Sequence, residues 1–255
     1  MYSPTKIKSL TLLIAAGLLI PSYAFSADGK KNKTGLSGKF SASLSAAEGN
    51  TNTRKAKANL MAIYRTNTPW QHKIVGLLGI TETSKGRDKK TRTTKNQTRL
   101  RYTTAYFFNK DNAVAAYVGR ESDKKSKLKS QLMIGLGYER RNLGTENHRF
   151  TAGIGAGSLA IKYTDGTPNL SSAAALRASL EYNGKITDRV SINEKVVVLG
   201  TKDFDRKRIT SEIDYAITKK ASISLSHEVT IDNVIPRTAV DRRDNETSLN
   251  FNMKF

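Results

Sequence analysis

The last ten residues, Glu246 to Phe255, constrain the fold more than any other stretch. Thr247, Leu249, Phe251, Met253 and Phe255 fall on one parity, and Glu246, Ser248, Asn250, Asn252 and Lys254 on the other. A strand sends successive side chains to opposite faces, so this segment is a strand with one apolar and one polar face. The sequence given ends on the aromatic.

The same two-residue period recurs along the chain, broken by turn chemistry. Leu36, Phe40, Ala42, Leu44 and Ala46 alternate with Ser37, Lys39, Ser41, Ser43 and Ser45. Leu132, Ile134, Leu136 and Tyr138 alternate with Gln131, Met133, Gly135, Gly137 and Glu139, and Ile223, Leu225, His227, Val229 and Ile231 with serines and acids. Between residues 35 and 255 the pattern predicts about twelve strands. The fifth, Ala113 to Glu121, is apolar on both parities, so its facing stays open. In the ninth, Glu194 shares a face with Val190, Ile192, Val196 and Val198, which predicts a bulge. Asn183-Gly184 predicts a hairpin turn. Connections near Asn67, Asn109, Asn142, Asn183 and Thr218 are short. Those from Thr83, Ser122, Tyr163, Thr201 and Asn233 are longer.

Only 38% of the chain is hydrophobic and cysteine is absent. A helical membrane bundle is thereby excluded, as are disulfides and thiolate metal sites. A membrane barrel is not, because only alternate residues meet lipid. Lys6 and Lys8 precede the apolar run Leu10 to Ile20, then Pro21 and small residues. That run is too short to span a bilayer and reads as a secretory signal over residues 1–26, cleaved after Ala24 or Ser26. Residues 27–34 form a polar lead-in. An export signal, an even strand count and alternating loop lengths together predict an all-β fold: an antiparallel, up-and-down transmembrane barrel in the outer membrane. A soluble secreted β-barrel binding protein is the competing reading.

A terminal Phe on such a strand resembles the assembly signal read by the barrel-assembly machinery of bacterial outer membranes. Gly49-Asn50-Thr51-Asn52-Thr53, Gly135-Leu136-Gly137-Tyr138-Glu139-Arg140 and Leu176-Arg177-Ala178-Ser179-Leu180-Glu181 resemble the salt-induced outer-membrane proteins, a bacterial family defined by a domain of unknown function. The resemblance covers roughly Gly35 to Phe255. It implies outer-membrane location and a barrel, and no known reaction.

Net charge is +21. With an export signal and no nucleic-acid module, anionic lipid is the expected partner, lipopolysaccharide phosphate above all. Lys85, Arg87, Lys89, Lys90 and Arg92 crowd one long loop and Lys124, Lys125 and Lys127 the next. Arg206 and Lys207 form a third group, and Arg242 and Arg243 a fourth. They predict a positive external rim. On the inward face, early strands carry Lys39, Lys55, Lys57, Arg99 and Arg101, whereas late strands carry Glu212, Asp214, Glu228, Asp232 and Glu246. Closing the sheet sets these walls side by side. They either pair and fill the lumen or line a channel with a transverse field.

Chemistry is sparse. His72 and His148 sit near short turns and His227 on an apolar face. Ser226 points away from His227, so a Ser-His pair needs a partner on a neighbouring strand. No metal spacing appears and no cofactor is called for. Gly153-x-Gly155-x-Gly157 lacks the lysine and helix of a phosphate loop, and reads as small inward residues making room for larger ones opposite. The expected role is envelope integrity or passive solute passage through a narrow charged lumen, with an outer-membrane lipid hydrolase as the alternative.

Overall fold

The computed structural model describes residues 34–47, 51–85, 91–124, 127–234 and 243–255. The signal segment therefore lies outside the described residues. Twelve strands follow in order: β1 (Gly35–Ala47), β2 (Thr51–Arg65), β3 (Trp70–Lys85), β4 (Thr91–Phe107), β5 (Asn112–Asp123), β6 (Leu128–Gly144), β7 (His148–Tyr163), β8 (Leu170–Lys185), β9 (Val190–Gly200), β10 (Asp205–Ala216), β11 (Ala221–Asp232) and β12 (Arg243–Lys254). Each pairs antiparallel with its chain neighbours, and β1 pairs with β12 to close the barrel. This is the architecture that the two-residue period predicts.

Facing follows the period. Leu100, Leu132, Ile134, Leu136, Ile154, Leu176 and Leu249 stand exposed on the outer wall. Asn250, one residue from Leu249, is buried inside. The fifth strand resolves the same way: Val114 and Val118 face out, while Ala113 and Ala115 are buried.

The short connections are set by local acceptors. Asn109 Oδ1 accepts from the amides of Asp111 (3.0 Å) and Asn112 (2.9 Å). Thr187 Oγ1 does so for Arg189 and Val190, and Thr218 Oγ1 for Lys220 and Ala221. Side-chain oxygens that take local amides make a turn in place of a ladder. This relocates one turn. Asn183-Gly184 lies inside β8, where Asn193 Nδ2 donates to Asn183 Oδ1 at 2.7 Å, and the chain reverses at 186–189 instead. The long loop expected from Thr83 also shrinks, because β3 runs to Lys85 and β4 starts at Thr91. Residues 91–98 are polar on both parities, so this hairpin continues without an apolar face.

Rings girdle the short-turn end. Tyr64 and Tyr102 stack on either side of His72, Trp70 meets Tyr106 edge-on, and Tyr182 packs against both His148 and Phe150. His72 Nδ1 and His148 Nδ1 each share a 2.8 Å hydrogen bond with a tyrosine hydroxyl. Amphipathic rings of this kind suit a boundary between apolar and aqueous surroundings.

The foot of the seam is fixed by the terminus. Gly38 N donates to Phe255 O (2.9 Å) and Phe255 N to Gly38 O (3.1 Å). A Cβ at Gly38 would come within 2.5 Å of the Phe255 ring and 2.3 Å of Met61 O. Glycine is the residue that lets the terminal ring lie on the wall there.

Candidate functional site in the barrel lumen

Period two delivers charged side chains from most of the wall into one enclosed space, and the structure shows which of them meet. Glu121 of β5 holds the centre. Arg99 of β4 reaches it with Nε at 3.2 Å and Nη2 at 3.3 Å, and Arg208 of β10 with Nη2 at 3.0 Å. Both guanidiniums also approach Glu228 Oε1 of β11 at 3.6 Å. β4 and β5 stand on nearly the opposite side of the ring from β10 and β11, so this lattice crosses the lumen. Beside it Arg206 grips Asp232 through two bonds of 2.6 and 2.7 Å and donates to Gln131 at 2.8 Å. Paired forks of this type are strong and directional.

Toward the short-turn end, Lys39 pairs with Glu212 at 2.6 Å and lies 3.9 Å from Asp214, and Lys57 pairs with Glu246 at 2.7 Å. Lys195 pairs with Glu181, and Arg141 with Glu139. Asp214 also accepts from Ser222 (2.7 Å) and Asn252 (2.9 Å) in a buried seam of small polar groups. A cavity of about 760 Å³ occupies this half. Lys57, Glu228 and Asn250 line its inner part, and Asn147, Thr187 and Asp188 its end at the turns. There Lys185 Nζ donates to Asp188, holding that exposed carboxyl below its ordinary range.

The lumen also holds an apolar cluster. Leu128, Met133, Leu159, Ile161, Ala175, Leu199 and Phe204 are buried together near the long-loop end. Sequence reasoning missed it. Leu159 and Ile161 keep the inward parity of Gly153, Gly155 and Gly157, the register shift at Leu128/Ser130 turns Leu128 inward against the parity of β6, and Phe204 enters from the β9–β10 connection. The inward parity of Met133 and Leu199 was the available signal.

Of the charged residues expected on the inward face, Lys39, Lys57, Arg99, Glu212, Asp214, Glu228, Asp232 and Glu246 each meet an opposite charge. Lys55 and Arg101 join no ion pair among the described residues. The external rim needs a correction. Arg206, expected on it, is 6% exposed and turned into the lumen by Asp232 and Gln131. Lys124, Lys207 and Arg243 are exposed, and Lys127 takes a left-handed backbone (φ 56°) beside them. Lys85 ends β3 and Arg92 lies near the start of β4. Arg87, Lys89, Lys90, Lys125 and Arg242 lie outside the described residues.

Strand nine needs a second correction. Its register is unbroken, and Glu194 faces outward. Ser211, its partner across β10, donates to Glu194 Oε2 at 2.6 Å, so a cross-strand bond replaces the expected bulge. The next partner in the row is His227, whose Nδ1 shares a 2.8 Å bond with Thr247. Ser211–Glu194 and His227–Thr247 are two separate pairs, and no nucleophile–base–carboxylate relay runs through them. Among the described residues no group of three metal-binding side chains occurs.

The fold is similar to the COG4313 outer membrane channel from Pseudomonas putida F1, with 10% identity, a TM-score of 0.54, and coverage of 91% of this chain and 100% of that one. The translocator domain of autotransporter NalP from Neisseria meningitidis matches at 10% identity and a TM-score of 0.49, over 98% of this chain and 95% of its own. The KdgM porin matches at 9% identity and 0.44, over 86% and 98%. At such identities the likeness speaks to fold alone. No curated protein matches. The family model described as "Protein of unknown function, DUF481" matches residues 40–255, and the chain belongs to that family.

Proposed function

We propose that this chain is an outer-membrane barrel whose lumen is a narrow passage for small charged solutes, barred at its centre by ion pairs that also brace the wall. The lattice of Arg99, Glu121, Arg208 and Glu228 carries the reading. It joins nearly opposite walls, and it lies between a 760 Å³ cavity and the long-loop end. The bilayer placement is supported by the exposed belt of leucine and isoleucine, far larger than a soluble monomer presents, and by the aromatic girdle below it. In this placement the short turns face the periplasm, and the exposed Lys124, Lys207 and Arg243 meet lipopolysaccharide phosphates. The barrel-assembly machinery reads the strand that ends at Phe255.

The deciding experiment is ion conductance of the refolded protein in a planar bilayer. The wild type should conduct weakly. Glu228→Gln with Asp232→Asn removes one of the two carboxylates that face Arg99 and Arg208 and neutralises the partner of Arg206, so conductance should rise and shift toward anions. Heat resistance of the folded band should fall. A wild type that conducts like a wide pore, with a double variant unchanged in selectivity and stability, would sink the barred-lumen reading.

A further inference from the structure

Arg101 of β4 and Arg177 of β8 point into the lumen just below the lattice. Arg99 and Arg208 are each held by carboxylates, whereas Arg101 and Arg177 have none within salt-bridge distance among the described residues. Both guanidiniums lie against the same stretch of β5, Arg177 near the Tyr117 ring and Arg101 beside Gly119. Like charges brought together in an enclosed space are costly unless an anion sits with them.

Tyr117 of β5 is one inward position along its strand from Gly119, the register partner of Arg101. Arg177 Cζ stands 5.9 Å from its ring centroid. The Tyr117 hydroxyl is buried and has no hydrogen-bond partner among the described residues. Glycines seat it: a Cβ at Gly135 would come 2.5 Å from Tyr117 Oη, and one at Gly155 would come 3.3 Å from it. Arg101 lies over Gly119 in the same way, 3.5 Å from a Cβ built there to its Nε. A phenol is a donor as well as an acceptor, and a buried donor left unmatched is destabilising. Two guanidinium forks and one hydroxyl thus gather over a glycine floor, and among the described residues the one acceptor bonded to them is Ser179 Oγ, at 3.4 Å from Arg177 Nη1.

We infer that Arg101, Arg177 and Tyr117 form a binding site for a small anion that presents a carboxylate or phosphate group. The guanidinium fork matches two oxygens of either group, and the phenol supplies a third donor. Lys73, opposite Thr103 in the β3–β4 register and two residues from Arg101's row, lines the cavity and extends the positive path toward the short turns. The inference deepens the reading of the lumen as a passage by naming its solute class, and rests on that reading for its use in transport.

The test is thermal unfolding of the refolded full chain in detergent, titrated separately with inorganic phosphate and with acetate at fixed ionic strength. At least one anion should raise Tm saturably, and the arm that responds identifies the group. Arg101→Gln with Arg177→Gln should weaken apparent affinity by a hundredfold or more, at about tenfold for each charged hydrogen bond lost. Tyr117→Phe should weaken it by about tenfold without disturbing the fold, and it carries the test if the double variant does not refold. Lys219→Gln, in the exposed turn between β10 and β11, should bind like the wild type. No saturable shift with either anion, or affinity unchanged in Arg101→Gln/Arg177→Gln or in Tyr117→Phe, would overturn the site. The readout needs no ion flow. Binding without conductance rejects the passage and keeps the site, and conductance without binding does the reverse.

Discussion

Glu121 is the residue on which the lumen turns. One carboxylate accepts from Arg99 on its own side and from Arg208 across the ring, and is 8% exposed. Replacing it with glutamine keeps the volume and removes the charge that two guanidiniums share. Breaking an enclosed pair strands the remaining charge, at about 3–5 kcal/mol. Glu121→Gln should therefore lower the heat resistance of the folded barrel more than Glu181→Gln, whose partner Lys195 is half-exposed. Gel mobility of the folded band against temperature measures this, and equal losses in the two variants would place the brace elsewhere.

Single elements show where sequence reading succeeds and where it stops. Alternation settles the facing of β12 and β6 because neither face is ambiguous: Leu249 is outside and Asn250 inside, as period two requires. Glu194 breaks the alternation of β9, and within that strand a bulge is the natural repair. The actual repair is Ser211, seventeen residues on. A cross-strand register is a property of two segments and is not written in either one. The same limit hid part of the apolar cluster, since Leu128 turns inward only after a shift against a neighbouring strand. Glu194 and Ser211 make a further expectation measurable. Glu194→Val with Ser211→Val replaces a polar pair on the apolar outer wall by two β-branched residues, and should match or exceed the wild type in heat resistance. Ser211→Val alone leaves the carboxylate without its donor and should lower it. A double variant weaker than the single one would show that the row has a use beyond packing.

At the scale of the whole molecule, Phe255 takes part in the joint that closes the barrel. Phe255 exchanges two backbone bonds with Gly38 and lays its ring on that glycine. Deleting Phe255 should slow assembly into the heat-resistant form, and Gly38→Val, which forbids the ring's position, should do the same. Normal assembly kinetics in both variants would leave the seam to its other rungs. The overall architecture was legible because a barrel repeats one simple rule along the chain. The pairing of charges across the lumen was legible only as two walls of opposite sign. Which acid meets which base depends on ring geometry that brings β4 to β11 and β5 to β10.

Eleven of the barrel's joints lie between strands that follow each other in the chain, and one does not. β1 and β2 are in register over thirteen residue pairs, whereas β1 and β12 are in register over five, from Lys39↔Lys254 to Ser43↔Asn250. Above that point Leu44 to Ala47 pair only with β2, and Arg243 to Leu249 only with β11. Parting this joint unfolds no hairpin, and the hydrogen bonds at risk are few. Among the described residues this is the joint of the wall with the fewest paired residues, and across it the Lys57–Glu246 ion pair ties β2 to β12 over the intervening β1.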